Sequence, residues 1–150
     1  MLLRLSRKYL TVVAVCLCAL PVVGNASSAW AAAIVAKVDL SRQRMEVFVD
    51  GRRMYKWTVS TGREGWHTPP GTYYPFALTR HFYSEKWKMN LPYLVSISSD
   101  GIAIHGTELT AKLGRPASHG CIRLSIGNAA RFYGLVEKHG MNNTTVVVTH

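Results

Sequence analysis

The chain has 150 residues, 48% of them hydrophobic and 17% charged, with a formal net charge of +10. That length holds one domain of ordinary size, and that composition excludes wholesale disorder and fibrous or low-complexity proteins. The charge points to polyanionic partners, but no nucleic-acid-binding motif accompanies it, so nucleic acid is not expected among them.

In chain order, residues 1–33 read as a secretory signal peptide. Arg4, Arg7 and Lys8 form a basic start, the apolar run over 11–24 is broken only by Pro21, and Ala29-Trp30-Ala31 and Ala31-Ala32-Ala33 both offer small-x-small cleavage patterns. The run is short for a membrane span, which takes about 20 apolar residues. Cleavage near residue 33 is therefore expected, with export to the periplasm or cell wall and no stable membrane insertion afterwards. Lipid attachment is not expected, because neither Cys16 nor Cys18 follows a small residue. Cleavage would leave Cys121 as the one thiol, with 15 basic and 8 acidic residues and a net charge of +7. A lone thiol cannot form an internal disulfide, and in an oxidising compartment it is a liability unless it is buried or used.

Residues 34–150 read as one mainly β domain. Residues 34–39 are rich in β-branched side chains. Met45, Val47 and Val49 alternate with other residues, Asp50-Gly51 follows, and Tyr55, Trp57 and Val59 resume the alternation, which predicts a hairpin. One strand is expected over 72–78 after Pro69-Pro70-Gly71. A second hairpin is expected from residues 94–98 and 102–105 around Asp100-Gly101. Residues 79–92 have no period and read as a long aromatic loop. Trp57, Trp66 and Trp87 are either core or, with that loop, a lid. One main helix is predicted after Cys121: Ser125 as N-cap, an apolar stripe of Ile126, Ala129, Ala130, Tyr133 and Val136, and Gly140 as terminator. Thr144–Thr149 reads as a last strand.

The chemistry concentrates in Ile104-His105-Gly106-Thr107 and Ser118-His119-Gly120-Cys121-Ile122-Arg123-Leu124. Cysteine is the strongest nucleophile a protein carries, but only as the thiolate, which a nearby imidazole or helix N-terminus favours. On the second hairpin, Ala103 and His105 face away from Ile102 and Ile104, so His105 ends a strand with its ring off the core face. His119 and Gly120 shape the turn that presents Cys121, and Gly120 permits positive φ there. The Gly120 and Cys121 amides are natural donors to a developing oxyanion. The bland alternatives are a buried structural cysteine and a solvated histidine. Zinc held by His105, His119 and Cys121 is a further alternative, but no fourth ligand stands nearby, so no metal or other cofactor is expected. His67, His81, His139 and His150 have no supporting context.

His-Gly-Thr followed by Ser-His-Gly-Cys-Ile-Arg-Leu resembles the signature of the L,D-transpeptidase catalytic domain, also called the YkuD domain. Val38-Asp39-Leu40-Ser41 with Met45-Glu46-Val47 resembles the opening strands of that domain. Val59-Ser60-Thr61-Gly62, Thr68-Pro69-Pro70-Gly71 and the lead-in Gly114-Arg115-Pro116-Ala117 are similar to its other elements. The resemblance implies β-sandwich-like mixed sheets with one helix after the catalytic cysteine. It implies Cys121 as nucleophile, His105 as base, and the Gly106 carbonyl as the group that orients the imidazole. It also implies an oxyanion hole from Gly120 and Cys121, and Arg123 as the binder of a substrate carboxylate, with Ser118 and His119 lining the loop.

The implied activity is cross-linking of peptidoglycan peptide stems through a thioester, open to trapping by carbapenems. An L,D-carboxypeptidase or an amidase would use the same first half-reaction. A non-catalytic wall-binding module would suit the charge but not the His105/Cys121 pair. A papain-like protease is disfavoured because its cysteine precedes its histidine. The acceptor and the oligomeric state are left open by the sequence.

Overall fold

The computed structural model describes residues 33–150; the leader expected over residues 1–33 lies outside them, save Ala33. The elements are β1 (Ile34–Asp39), β2 (Arg44–Val49), β3 (Arg52–Thr58), β4 (Gly71–Tyr73), β5 (Ala77–Thr79), β6 (Tyr83–Ser84), β7 (Met89–Asn90), β8 (Leu94–Ser96), β9 (Ala103–Thr107), β10 (Ile122–Ser125), α1 (Ile126–His139) and β11 (Thr144–Thr149). They form mainly β mixed sheets with one α-helix among the described residues, as the sequence predicts.

The larger sheet has the order β3-β2-β1-β11-β4, with β1 and β11 parallel and the other pairs antiparallel. Alternation drives it. Ile34, Ala36 and Val38 of β1, Met45 and Val47 of β2, and Val146 and Val148 of β11 turn to one face and are buried. The β2–β3 hairpin closes through Asp50-Gly51, with φ of 49° and 77° and Val49 opposite Arg52. Positive φ at both central residues is what a two-residue hairpin turn requires, and Asp-Gly tolerates it.

The smaller sheet has the order β10-β9-β8-β5, with β9 and β10 parallel. The β8–β9 pairing of Val95 with Ile104 is the second predicted hairpin. Ile104, Ile122 and Leu124 point into an apolar cluster shared with the inner face of the larger sheet and with α1. Each such side chain contributes about 1.5–3 kcal/mol on burial.

Two expectations need correction. Residues 72–78 are not one strand: β4 belongs to the larger sheet and β5 to the smaller. Pro75 lies between them. It has no N–H to give a ladder and restrains the residue before it, so the chain changes sheets there. Residues 79–92 are not a plain loop, because β6 and β7 pair as a small hairpin of their own.

The helix begins and ends as predicted, with Ser125 Oγ accepting from the Asn128 amide (3.4 Å) and Gly140 at φ 93°. Its buried face is Ala129, Phe132, Tyr133 and Val136. That stripe is rotated from the predicted one: Phe132 enters the core, while Ile126 and Ala130 are only partly covered.

Candidate active site

The site is built on adjacent parallel strands. His105 on β9 lies opposite Arg123 on β10. Cross-strand partners share a face of the sheet, so both project away from Ile104 and Ile122. Cys121 sits two residues before Arg123 and so falls on the same face. There it packs with Ala103, Leu91 and Leu94, a small apolar cluster separate from the main core.

His105 is 1% exposed, and its Nδ1 lies 2.8 Å from the Gly106 carbonyl oxygen. Gly106 is fixed in turn, its N–H donating to the Pro92 carbonyl at 2.7 Å. A carbonyl can only accept, so this contact puts the proton of a neutral ring on Nδ1 and leaves Nε2 as the basic atom. The Cys121 thiol donates to the Gly101 carbonyl at 3.6 Å. Among the described residues no hydrogen bond joins it to His105.

Burial pushes the Cys121 thiol above its ordinary range, against the Ala103 backbone and the Arg123 charge, which pull it down. Burial also lowers His105 to about 4; the Gly106 contact opposes this and the Arg123 charge adds to it. Both shifts favour a neutral thiol beside a neutral imidazole at rest.

Ser118, fully buried, ties the cysteine turn together. Its Oγ donates to the Cys121 carbonyl at 2.5 Å and accepts from the Gly120 amide at 3.1 Å. Gly120 has φ 107°, a conformation L side chains rarely adopt. The Gly120 amide, one of the two donors expected for an oxyanion, thus already has a partner in Ser118 Oγ.

Residues 60–68 bind this turn from the other side. The Ser60 and Arg123 backbones exchange hydrogen bonds of 3.0 and 2.8 Å, covering the open edge of β10. Thr68 Oγ1 donates to the Gly120 carbonyl at 2.6 Å and accepts from the Gly62 amide at 2.9 Å. No role for Thr68 is readable in the sequence beyond its place in Thr68-Pro69-Pro70-Gly71.

His119 is held by aromatic rings. Trp87 stacks on it at 3.8 Å with 5° between the planes, and Trp66 meets it edge-on at 5.1 Å. These rings, with Lys86 and Gly101, line the cleft that opens on Cys121. Trp57 takes no part, since it is buried in the core and stacked on Tyr55 at 4.8 Å. Burial and then the Arg63, Arg123 and Lys86 charges lower the His119 pKa. The zinc arrangement has no counterpart: among the described residues no three His, Cys, Asp or Glu side chains are grouped to hold a metal.

The model of the L,D-transpeptidase catalytic domain, YkuD, matches residues 33–148. The chain belongs to this family. Three solved L,D-transpeptidases illustrate the likeness, each matched over 79% of this chain. The one from Stackebrandtia nassauensis is 30% identical with a TM-score of 0.68, and 56% of it is covered. The one from Mycobacterium smegmatis is 23% identical with a TM-score of 0.71, and 59% is covered. L,D-transpeptidase 3 from Mycobacterium tuberculosis, solved with a faropenem-derived adduct, is 23% identical with a TM-score of 0.68, and 60% is covered. The chain thus spans under two thirds of these structures. Comparison with curated proteins found no match.

The buried His105 of this L,D-transpeptidase domain also bears on stability. Its pKa falls on folding from 6.5 to about 4, so the unfolded chain binds more protons between those values. The stabilisation is whole above pH 6.5 and is lost as pH falls toward 4, on the order of 3 kcal/mol in all. Urea unfolding at pH 7 and 4.5 is expected to show that loss, and His105→Gln to reduce it. Equal pH dependence in both proteins would contradict it.

Proposed function

We propose that this domain is a peptidoglycan L,D-transpeptidase acting through Cys121. The observation that carries the reading is the shared face of β9 and β10, which holds a carbonyl-anchored His105 opposite Arg123, with Cys121 at the entry to β10 packed against the cluster that contains Ala103. His105 takes the thiol proton as Cys121 Sγ attacks the carbonyl of the L,D bond before the terminal D-alanine of a tetrapeptide stem. The tetrahedral oxyanion leans on the Cys121 amide. Collapse breaks the C–N bond, His105 returns the proton to the leaving amine, and D-alanine departs. An amine of a second stem then attacks the thioester, forming the cross-link and freeing the thiol.

Arg123 would receive a substrate carboxylate. It is 6% exposed, and its Nη1 donates to the Ala117 carbonyl at 3.3 Å. Its Nε is buried with no partner, and a planar guanidinium in that condition suits a carboxylate. Gly106 orients the imidazole, and Ser118 and His119 shape the turn. No cofactor enters the reaction. The faropenem-derived adduct on the Mycobacterium tuberculosis relative supports trapping of this domain by β-lactams, carbapenems included, with Cys121 as the thiol that would carry the adduct. The leader residues support export to the periplasm or cell wall. No helix among the described residues is long and apolar enough to cross a membrane.

The test is mass spectrometry of the protein and its Cys121→Ala variant with a purified disaccharide-tetrapeptide. The expected result is a dimer lacking one D-alanine, formed by wild type alone, with a thioester on Cys121. Tripeptide without dimer would turn the reading to an L,D-carboxypeptidase. Neither product nor thioester would overturn it in favour of a wall-binding module.

A further inference from the structure

A second cleft lies across His119 from the thiol. Arg63, Lys112, Arg115 and Arg123 line it, with apolar surface from Met89 and Leu109, and no acid lines it. Among the described residues none of these four cations makes an ion pair, whereas Arg42, Arg53, Lys56, Arg80 and Lys88 each do. Isolated surface cations are common and carry no message. These differ in two respects.

One is the buried Arg123, which lines the cleft and whose Nε is enclosed without a partner. A desolvated donor left unmatched is costly unless a ligand meets it. The other is that the cations ride on pinned backbone. The Arg63 N–H donates to the Ser118 carbonyl at 3.1 Å, and Ser60 Oγ donates to the Arg115 carbonyl at 2.8 Å. The Gly114 amide donates to the Val59 carbonyl at 2.8 Å, and Lys112 closes a short 3-10 turn. Burial first, and the Arg63 charge after it, lower the pKa of both Arg123 and His119. Like charges held together raise one another's energy, and a polyanionic ligand relieves that cost.

We infer that this cleft is a carboxylate-reading subsite in which Arg63, Lys112 and Arg115 extend the contact begun by Arg123, so that the domain selects acidic peptides over their amidated forms. The inference rests on the stem-peptide reading above. A stem carries carboxylates on its glutamate and diaminopimelate residues besides that of the terminal alanine. Amidation removes charge from the first two and nothing else. His119, clamped by Trp66 and Trp87, is the wall between the two clefts and sets their spacing.

The experiment measures binding by calorimetry to the Cys121→Ala protein at low salt. The ligands are the tetrapeptide stem, its side-carboxylate-amidated form, and tri-γ-glutamate. The acid stem is expected to bind about tenfold tighter than the amide, with the gap narrowing in 0.5 M salt. Lys112→Glu/Arg115→Glu should erase the preference. Arg52→Glu/Lys138→Glu, an equal charge change at exposed sites away from the cleft, should keep it. Equal binding of acid and amide overturns the inference, as does an equal loss in the control variant. Failure of both the acid stem and tri-γ-glutamate to bind overturns it as well. Acid-selective binding without turnover in wild type would instead fault the transpeptidase reading and leave the subsite standing.

Discussion

Replacing His105 with glutamine is expected to slow acylation of Cys121 by about 10²–10⁴-fold, the span of a general acid–base contribution. The reason lies in the resting state. With the thiol raised and His105 lowered to about 4, the pair holds its proton on sulfur, so attack needs a base in place at that moment. Glutamine keeps a polar group beside Gly106 but cannot take the proton. The wild-type acid limb should fall near pH 4, because neutral imidazole persists down to that value, and not near the ordinary histidine range. Single-turnover mass spectrometry of thioester formation across pH reads both quantities. A His105→Gln rate within threefold of wild type would remove His105 from the reaction.

Gly62→Ala is expected to damage fold and activity together. A Cβ at 62 would run into the Trp66 carbonyl oxygen and lie 2.7 Å from the Thr68 amide nitrogen. Both obstacles are backbone and cannot swing aside. Relief requires moving residues 66–68, and with them the Thr68 bond to the Gly120 carbonyl that holds the cysteine turn. The cost should be about 3 kcal/mol, toward the upper end for overpacking, with loss of acylation beyond what unfolding explains. Gly65→Ala is the companion variant, with nothing near its Cβ but a φ of 78°, so any loss there comes from backbone strain alone. Urea denaturation and thioester formation on both variants check this. Wild-type stability for Gly62→Ala would mean that residues 62–68 yield more than their packing suggests.

Local features of the fold were legible where their cause was local. Asp50-Gly51 names its own turn, and Ser125 and Gly140 name the ends of α1, because caps and two-residue turns depend on a few adjacent residues. The division of residues 72–78 between two sheets was not legible, since strand partners are chosen by contacts far along the chain. Pro75 was the only hint. Phe132 was missed because the angle at which α1 meets the sheets selects among equally good apolar stripes. For the site, alternation alone put His105 off the core face. The commitment of the Gly120 amide to Ser118, the role of Thr68, the Trp87–His119 stack and the unmatched Nε of Arg123 all join distant segments. No spacing rule reaches them.

The parallel pairing of β1 with β11 has a kinetic consequence. The larger sheet places Ile34–Asp39 directly beside Thr144–Thr149, so two neighbouring interior strands are more than a hundred residues apart in sequence. Closing so long a loop costs entropy before any ladder bond repays it, and such topologies fold slowly. The β2–β3 and β8–β9 hairpins can form as soon as each is complete. Until β11 arrives, β1 and β4 lack the strand that lies between them. The domain therefore locks as a unit only when its last strand is inserted, and the parallel seam between β1 and β11 is the step that turns separate hairpins into one cooperative structure.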